Sequence, residues 1–264
     1  MNRLVLFTFI LAGALRAQEN QLTPAEEAAG WKLLFNGKDL RGWDDPRRKN
    51  PAGDAWTLED GCLKARAKAR ITEDLFTEDS FGDFELVFDW RISQGGNSGL
   101  KYRIQDHVFL HGGGKARFED LVNLSLRDRR TDRPAAGQDY VIGFEYQILD
   151  NARNSDARAG LSHTTGALYD MVPPLRDASR PVGQFNHSRI VLRGAHAEHW
   201  LNEVKVVDVD LSAPEVKEHI AKRWTANTPV YNLLAGQPKR DCPISLQNHG
   251  DEVWFRNIKI RVIQ

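Results

Sequence analysis

Apolar and polar residues alternate along this chain in short runs, and helical spacing is rare. The clearest run is "DFELVFDWRIS": Phe84, Leu86, Phe88, Trp90 and Ile92 share one face, and Glu85, Val87, Asp89 and Arg91 share the other. Period two with one apolar side is the signature of a strand buried on one face. "SGLKYRIQ" repeats it, with Leu100, Tyr102 and Ile104 opposed to Lys101, Arg103 and Gln105. "DYVIGFEYQILDN" does so again: Tyr140, Ile142, Phe144, Tyr146 and Ile148 line one face, and Gly143, Glu145, Gln147 and Leu149 the other. "SRIVLRG" and "EHWLNEVKVVDVDL" read as a hairpin, and "CPISLQNHGDEVWFRNIKIRVI" as two strands around an Asn248–Asp251 turn.

Turn signals punctuate these runs. Asn36-Gly37 and Asp60-Gly61 are both strong turn pairs, the second between two strand-like pieces. The polar stretch Leu126–Gln138 and the Gly-, Asn-, Asp-, Ser- and Pro-rich residues 150–188 read as loops. Helix is scarce. "TPAEEAAG" predicts one turn capped by Thr23, with Pro24 first and Glu26 three after the cap. "SAPEVKEHIAKRW" predicts a second helix with Ser212 as cap, Glu215 completing the capping box, and a Val216, Ile220, Trp224 stripe. Many strands, long loops and one or two short helices define an all-β fold of two packed antiparallel sheets, with one outer face free to curve around a ligand.

Composition changes this picture only at the ends. The 264 residues are 41% hydrophobic and 27% charged, enough for one substantial core. The opening "MNRLVLFTFILAGALRAQ" has a basic Arg3, an apolar run from Leu4 to Leu15, and Ala17 before Gln18. That is the layout of a secretory signal, and the run is too short to span a bilayer. Residues 1–17 are therefore expected to be a signal peptide, 18–30 an arm, and 31–264 one sandwich domain. Export implies a secreted or periplasmic location, and no later segment is apolar enough to insert in a membrane. Without the leader, 34 basic residues face 36 acidic ones, a balance that gives no reason to expect nucleic acid as a partner. Cys62 and Cys242 are the only cysteines. In an oxidising compartment they can pair or stay as two buried thiols, and sequence leaves both open.

Chemistry concentrates on the polar faces. Glu145 and Gln147 stand together, and an outward Glu/Gln pair by itself is equally a solvated face. Three further segments point elsewhere. "GGNSGLKYR" sets three glycines beside Asn97, which lets backbone approach a ligand, with Lys101 and Arg103 on the polar face. In "ISLQNHG", inward Ile244 and Leu246 turn Ser245, Gln247 and His249 outward. "HAEHWLN" adds His196, His199 and Asn202. Amides, cations, a carboxylate and imidazoles beside Trp and Tyr suit a sugar, whose hydroxyls need polar partners and whose C–H faces stack on rings. Other chemistries lack their parts. "HGGG" (His111–Gly114) has no G-x-S-x-G nucleophile to serve, and there is no CxxC, P-loop or dinucleotide fingerprint. His196 and His199, three apart on a strand, fall on opposite faces and do not make a joint metal site.

Six segments in order resemble the 3-keto-disaccharide hydrolase family: "LLFNGKDLRGW", "FGDFELVFDWRISQGGNSGLKYR", "GFEYQILDN", "TGALYDMVPP", "AHAEHWLNEVKVV" and "ISLQNHGDEVWFRNIKI". The resemblance runs from about Trp31 to Val262. It implies a concanavalin A-like jelly-roll sandwich, export by bacteria, and action on glycosides oxidised at C3. It carries over Glu145, Gln147 and Asp150 from one motif, Asn97, Lys101 and Arg103 from another, and Gln247 with His249 from the last. His199 matches a subgroup pattern ending in "HWLNG", from which this chain departs with Glu203 in place of glycine. Gln184, Phe185 and Asn186 replace the more usual Glu-Trp-Asn.

A ketone at C3 acidifies the C2 hydrogen, so a base can remove it and the enolate can expel the C1 aglycone; water then completes net hydrolysis. Such an enzyme needs a base and a positive group at the enolate oxygen. The expectation is that Glu145 is the base or a metal ligand. Lys101, Arg103, His249 or a divalent cation would stabilise the oxyanion, and the sequence does not establish a metal. Glu145 and His249 are thus the expected catalytic groups, with Asn97, Lys101, Arg103, Gln147, Asp150, His199 and Gln247 binding the sugar. The alternative reading is a non-catalytic carbohydrate-binding module on the same sandwich. A third, a glycosidase with two carboxylates, would need Glu145 and Asp150 on one face.

Overall fold

The computed structural model describes residues 19–44, 54–69, 71–111 and 137–263. The expected leader, most of the polar stretch from Leu126, and Gly112–Gly114 of the "HGGG" segment lie outside the described residues. Fourteen strands are described: β1 (Trp31–Leu33), β2 (Trp43–Asp44), β3 (Trp56–Glu59), β4 (Cys62–Ala65), β5 (Ile71–Thr72), β6 (Leu75–Thr77), β7 (Phe84–Ile92), β8 (Asn97–His111), β9 (Gly137–Leu149), β10 (Asn186–Arg193), β11 (His196–Leu201), β12 (Val204–Asp210), β13 (Ser245–Leu246) and β14 (Val253–Val262). Three short helices accompany them: α1 (Pro24–Ala28), α2 (Pro214–Trp224) and α3 (Pro229–Ala235).

The strands form two sheets. The first runs β12-β11-β10-β7-β14-β4-β3, with β1 also on β14; the second runs β2-β6-β13-β8-β9-β5. The apolar teeth read from the sequence lock them together as an all-β jelly-roll sandwich. Phe84, Leu86, Phe88 and Trp90 of β7 meet Leu100, Tyr102, Phe144, Tyr146 and Ile148 of β8 and β9, all of them at most 1% exposed. Phe88 and Tyr146 meet edge to face at 5.7 Å, Phe84 and Tyr102 at 6.4 Å, a geometry that adds to the burial of the rings. Polar tips in this core are satisfied across the gap: Trp90 Nε1 donates to Ser188 Oγ at 2.8 Å, and Tyr146 Oη meets the same oxygen at 2.9 Å.

Several local expectations change. Pairing is antiparallel except at one edge, where β5 lies parallel to β9. Thr23 caps α1 with the full capping box, and the mostly exposed residues 19–30 are anchored through Asn20. Asn20 is 6% exposed, exchanges hydrogen bonds with Asn257, and donates to the Gly61 carbonyl. In α2 the cap is Ala213, because the Ser212 hydroxyl is committed to Asp210. The apolar stripe of Val216, Ile220 and Trp224 is buried as read. Helix α3, capped by Thr228, has no counterpart in the sequence reading. Cys62 and Cys242 are free, buried thiols, and burial pushes both up from the ordinary thiol value.

Candidate functional site

The outer face of the second sheet carries the candidate site. Strand β8 lies between β13 and β9, and residues opposite one another in a ladder point to the same face. One rung is Ser245–Lys101–Glu145. The next is Gly99 opposite Gln147, with the Gln247 amide donating to the Gly99 carbonyl at 2.9 Å. Gly99 matters because it has no side chain: a methyl group there would stand 2.2 Å from Glu145 Oε1, so the carboxylate leans over the glycine. Asn97 extends the same face, with Gln147 Nε2 donating to its Oδ1 at 3.5 Å.

The charges are arranged around Glu145. Among the described residues no donor reaches its half-buried carboxylate. Burial pushes it up to about 7, against the pull of Lys101 and Arg223 and with the push of Asp74 and Asp156. Lys101 is buried and paired with Asp74 at 3.1 Å, and Ser245 Oγ donates to the same oxygen at 3.0 Å. Burial alone would lower the Lys101 ammonium, but Asp74 and Glu145 reverse this and hold it above its ordinary value. His249 is exposed on this side; desolvation by the surrounding protein, and then the charge of Lys101, lower its imidazole from the ordinary value.

A second group, unread in the sequence, closes the other side. Arg223, from the last turn of α2, donates to Asp170 at 2.8 Å and to Tyr140 Oη at 2.9 Å, and lies 5.0 Å over the Tyr169 ring. Tyr169 donates to Asp156 at 3.0 Å. His163 sits between Asp156 and Asp170, at 3.0 and 3.2 Å. The Tyr169 backbone amide is tied to the Glu145 carbonyl at 3.0 Å, which attaches this loop to the strand. Apart from Tyr140 on β9, these residues lie in loops and on a helix, where alternation carries no signal. Only "TGALYDMVPP" in the family resemblance pointed near two of them.

Three expected site residues are elsewhere. The β8–β9 ladder steps from Tyr102–Phe144 directly to Asp106–Ile142, so two extra residues bulge over Gly143. Arg103 sits in that bulge at φ 51° and turns away from Lys101. It pairs with Asp83 at 3.2 Å and donates to the carbonyls of Gly194 and Arg240. His199 is fully buried between the sheets. Its Nδ1 donates to the Gly166 carbonyl at 3.0 Å, so its Nε2 accepts from Tyr102 Oη at 2.9 Å. Burial pushes it down to about 4. Asp150 accepts from the Gly95 and Ala152 amides and holds the turn before Asn97, so it does not form a carboxylate pair with Glu145. His196 and His199 do point to opposite sides: His196 meets Asp208 on the outer surface. Two open cavities, of about 270 and 310 Å³, border Arg103 and Asp150 respectively and not Glu145; charge and unsatisfied polarity mark the site, not volume.

A jelly-roll sandwich with acid, cation, amides and rings on one outer sheet face is a carbohydrate-handling architecture. Residues 30–261 match the model of the 3-keto-alpha-glucoside-1,2-lyase-like domain, and the chain belongs to that family. It is 28% identical over 261 residues to a 3-keto-disaccharide hydrolase of Bacteroides thetaiotaomicron, covering 94% of this chain and 83% of that protein. It is also similar to two crystal structures of candidate glycosyl hydrolases from Parabacteroides distasonis, each at 26% identity. One has a TM-score of 0.70 and covers 94% of this chain and all of that one. The other has a TM-score of 0.59 and covers 88% and 99%.

Proposed function

We propose that the protein cleaves glycosides oxidised at C3, with Glu145 as the base. The observation that carries this reading is the Glu145 carboxylate, with a pKa of about 7 and no hydrogen-bond donor among the described residues, opposite the buried Lys101 ammonium in the ladder. Family membership and the name of the Bacteroides relative support the substrate class. A group with pKa near the working pH both takes and returns a proton effectively. Glu145 removes the C2 hydrogen, and its bonding electrons make a C2=C3 enolate. Lys101 and a ring N–H of His249 receive the oxyanion. Collapse of the enolate breaks the C1–O bond and leaves a C1=C2 double bond, and the protonated Glu145 gives its proton to the departing oxygen. Water added across C1=C2 restores a 3-keto sugar, so the net change is hydrolysis. Asn97, Gln147 and Gln247 hold the ring. The basic, apolar leader supports export to the periplasm or medium.

The test is turnover of a simple glucoside against its 3-keto form by the wild type and by Glu145→Gln. The reading expects cleavage of the keto form alone, and a loss of at least 100-fold in the variant. Cleavage of both sugars would assign an ordinary glycosidase, and binding without cleavage of either would assign a binding module.

A further inference from the structure

We infer that Gln147 and Gln247 are a pair of hydroxyl acceptors that admit only a terminal pyranose with two unsubstituted hydroxyls, so that cleavage proceeds from chain ends. The inference rests on the sugar reading of this face and extends it to the position of the sugar in its chain. Gln147 is 1% exposed and Gln247 7%, yet the Oε1 atom of each is buried with no hydrogen-bond partner among the described residues. Buried acceptors without donors destabilise a fold and persist where a ligand supplies the donors. The Gln147 amide group is turned by its nitrogen, which faces Asn97 Oδ1 at 3.5 Å and the His163 carbonyl at 3.4 Å. Its oxygen is therefore the free end. The two glutamines flank Gly99, over which the Glu145 carboxylate leans, so the two acceptors and the carboxylate share one patch of the sheet face.

Gln147, on β9, and Gln247, the residue after β13, flank β8 at two strand spacings, about 9.6 Å apart at the backbone. Their unpartnered atoms are neutral amide oxygens, which accept a hydroxyl proton at about 2.8 Å. The Lys101 ammonium, opposite Glu145 in the ladder, exerts the largest charge effect on it, which disfavours a dication at that point. Both acceptors are buried at the foot of the site, so a hydroxyl that reaches either one has no room to carry a further sugar.

Calorimetry on the Glu145→Gln protein tests this without turnover, using methyl 3-keto-glucoside and its monodeoxy and mono-O-methyl derivatives at positions 2, 4 and 6. Two positions should each weaken binding at least tenfold on loss of the hydroxyl, and O-methylation there should abolish it. Adding Gln147→Met should remove sensitivity at one position and Gln247→Met at the other, with melting temperatures not below the parent's. No sensitive position, unchanged sensitivity in both methionine variants, or no sugar binding would overturn the inference. So would Mn²⁺ or Ca²⁺ binding to the wild type that the methionine variants lose. A protein that shows the hydroxyl pattern but leaves the 3-keto sugar intact keeps the subsite and loses Glu145 as base. One that cleaves without hydroxyl sensitivity does the reverse.

Discussion

Glu145 takes its character from two neighbours on β8. Gly99 gives its carboxylate room over the sheet, and Lys101 supplies a positive charge on the same rung. With a folded pKa of about 7, the carboxylate becomes the ionised base as pH rises through neutrality. The pH profile of kcat/KM on a 3-keto-glucoside should therefore rise through about pH 7 and level off above it, and Glu145→Gln should lose that limb along with its activity. A limb unchanged in the variant would assign the titration to another group. Glu145, Gln147 and Gln247 were legible in sequence because their strands alternate cleanly. Arg103 was not, because alternation says nothing of a two-residue bulge. His199 was misread for a different reason: an imidazole satisfied at both nitrogens, by Tyr102 and Gly166, packs in the core like an apolar residue.

At the scale of elements, hairpin β11–β12 turns on Asn202 and Glu203, at φ 47° and 67°. This two-residue turn needs the left-handed region at both positions, which glycine or asparagine adopts easily and glutamate does not. The departure from the subgroup's glycine leaves the turn in place, and Asn202 secures it through the His187 amide and the Ala178 carbonyl. Glu203→Gly should accordingly stabilise the protein by about 0.5–1 kcal/mol in thermal or urea unfolding; a destabilised variant would show that the Glu203 side chain contributes more than its backbone costs. Hairpins and the Thr23 capping box were readable because their signals are local. The cap of α2 was not, since Ser212 had a competing partner in Asp210.

Across the whole molecule, the core imidazole of His199 and the outer-face carboxylate of Glu145 titrate with opposite sign. His199 is held near 4 in the fold against an ordinary 6.5, so stability is full above pH 6.5 and falls as pH drops toward 4. Glu145 is raised from 4.5 to about 7, so its contribution is full below 4.5 and is lost as pH rises through 7. At 1.36 kcal/mol per pKa unit each is worth roughly 3 kcal/mol, and in the wild type they largely cancel. Glu145→Gln should therefore be more stable than the wild type at pH 7, and should lose stability more steeply between pH 6.5 and 4. Parallel stability curves would contradict this. The sandwich was legible because every central strand shows period two. The far wall of the site, Asp156, His163, Tyr169, Asp170 and Arg223, was not, because loops and a helix surface reach Glu145 only through tertiary packing.

The removal of the C2 hydrogen by Glu145 is tested most directly with methyl 3-keto-glucoside carrying deuterium at C2. The wild type should release the aglycone several-fold more slowly from the deuterated sugar when bond breaking limits the rate. Incubation in heavy water should also introduce solvent deuterium at C2 of the product, and Glu145→Gln should abolish both. Retention of the original C2 label in the product, with equal rates for the two sugars, would contradict proton abstraction and with it the role given to Glu145.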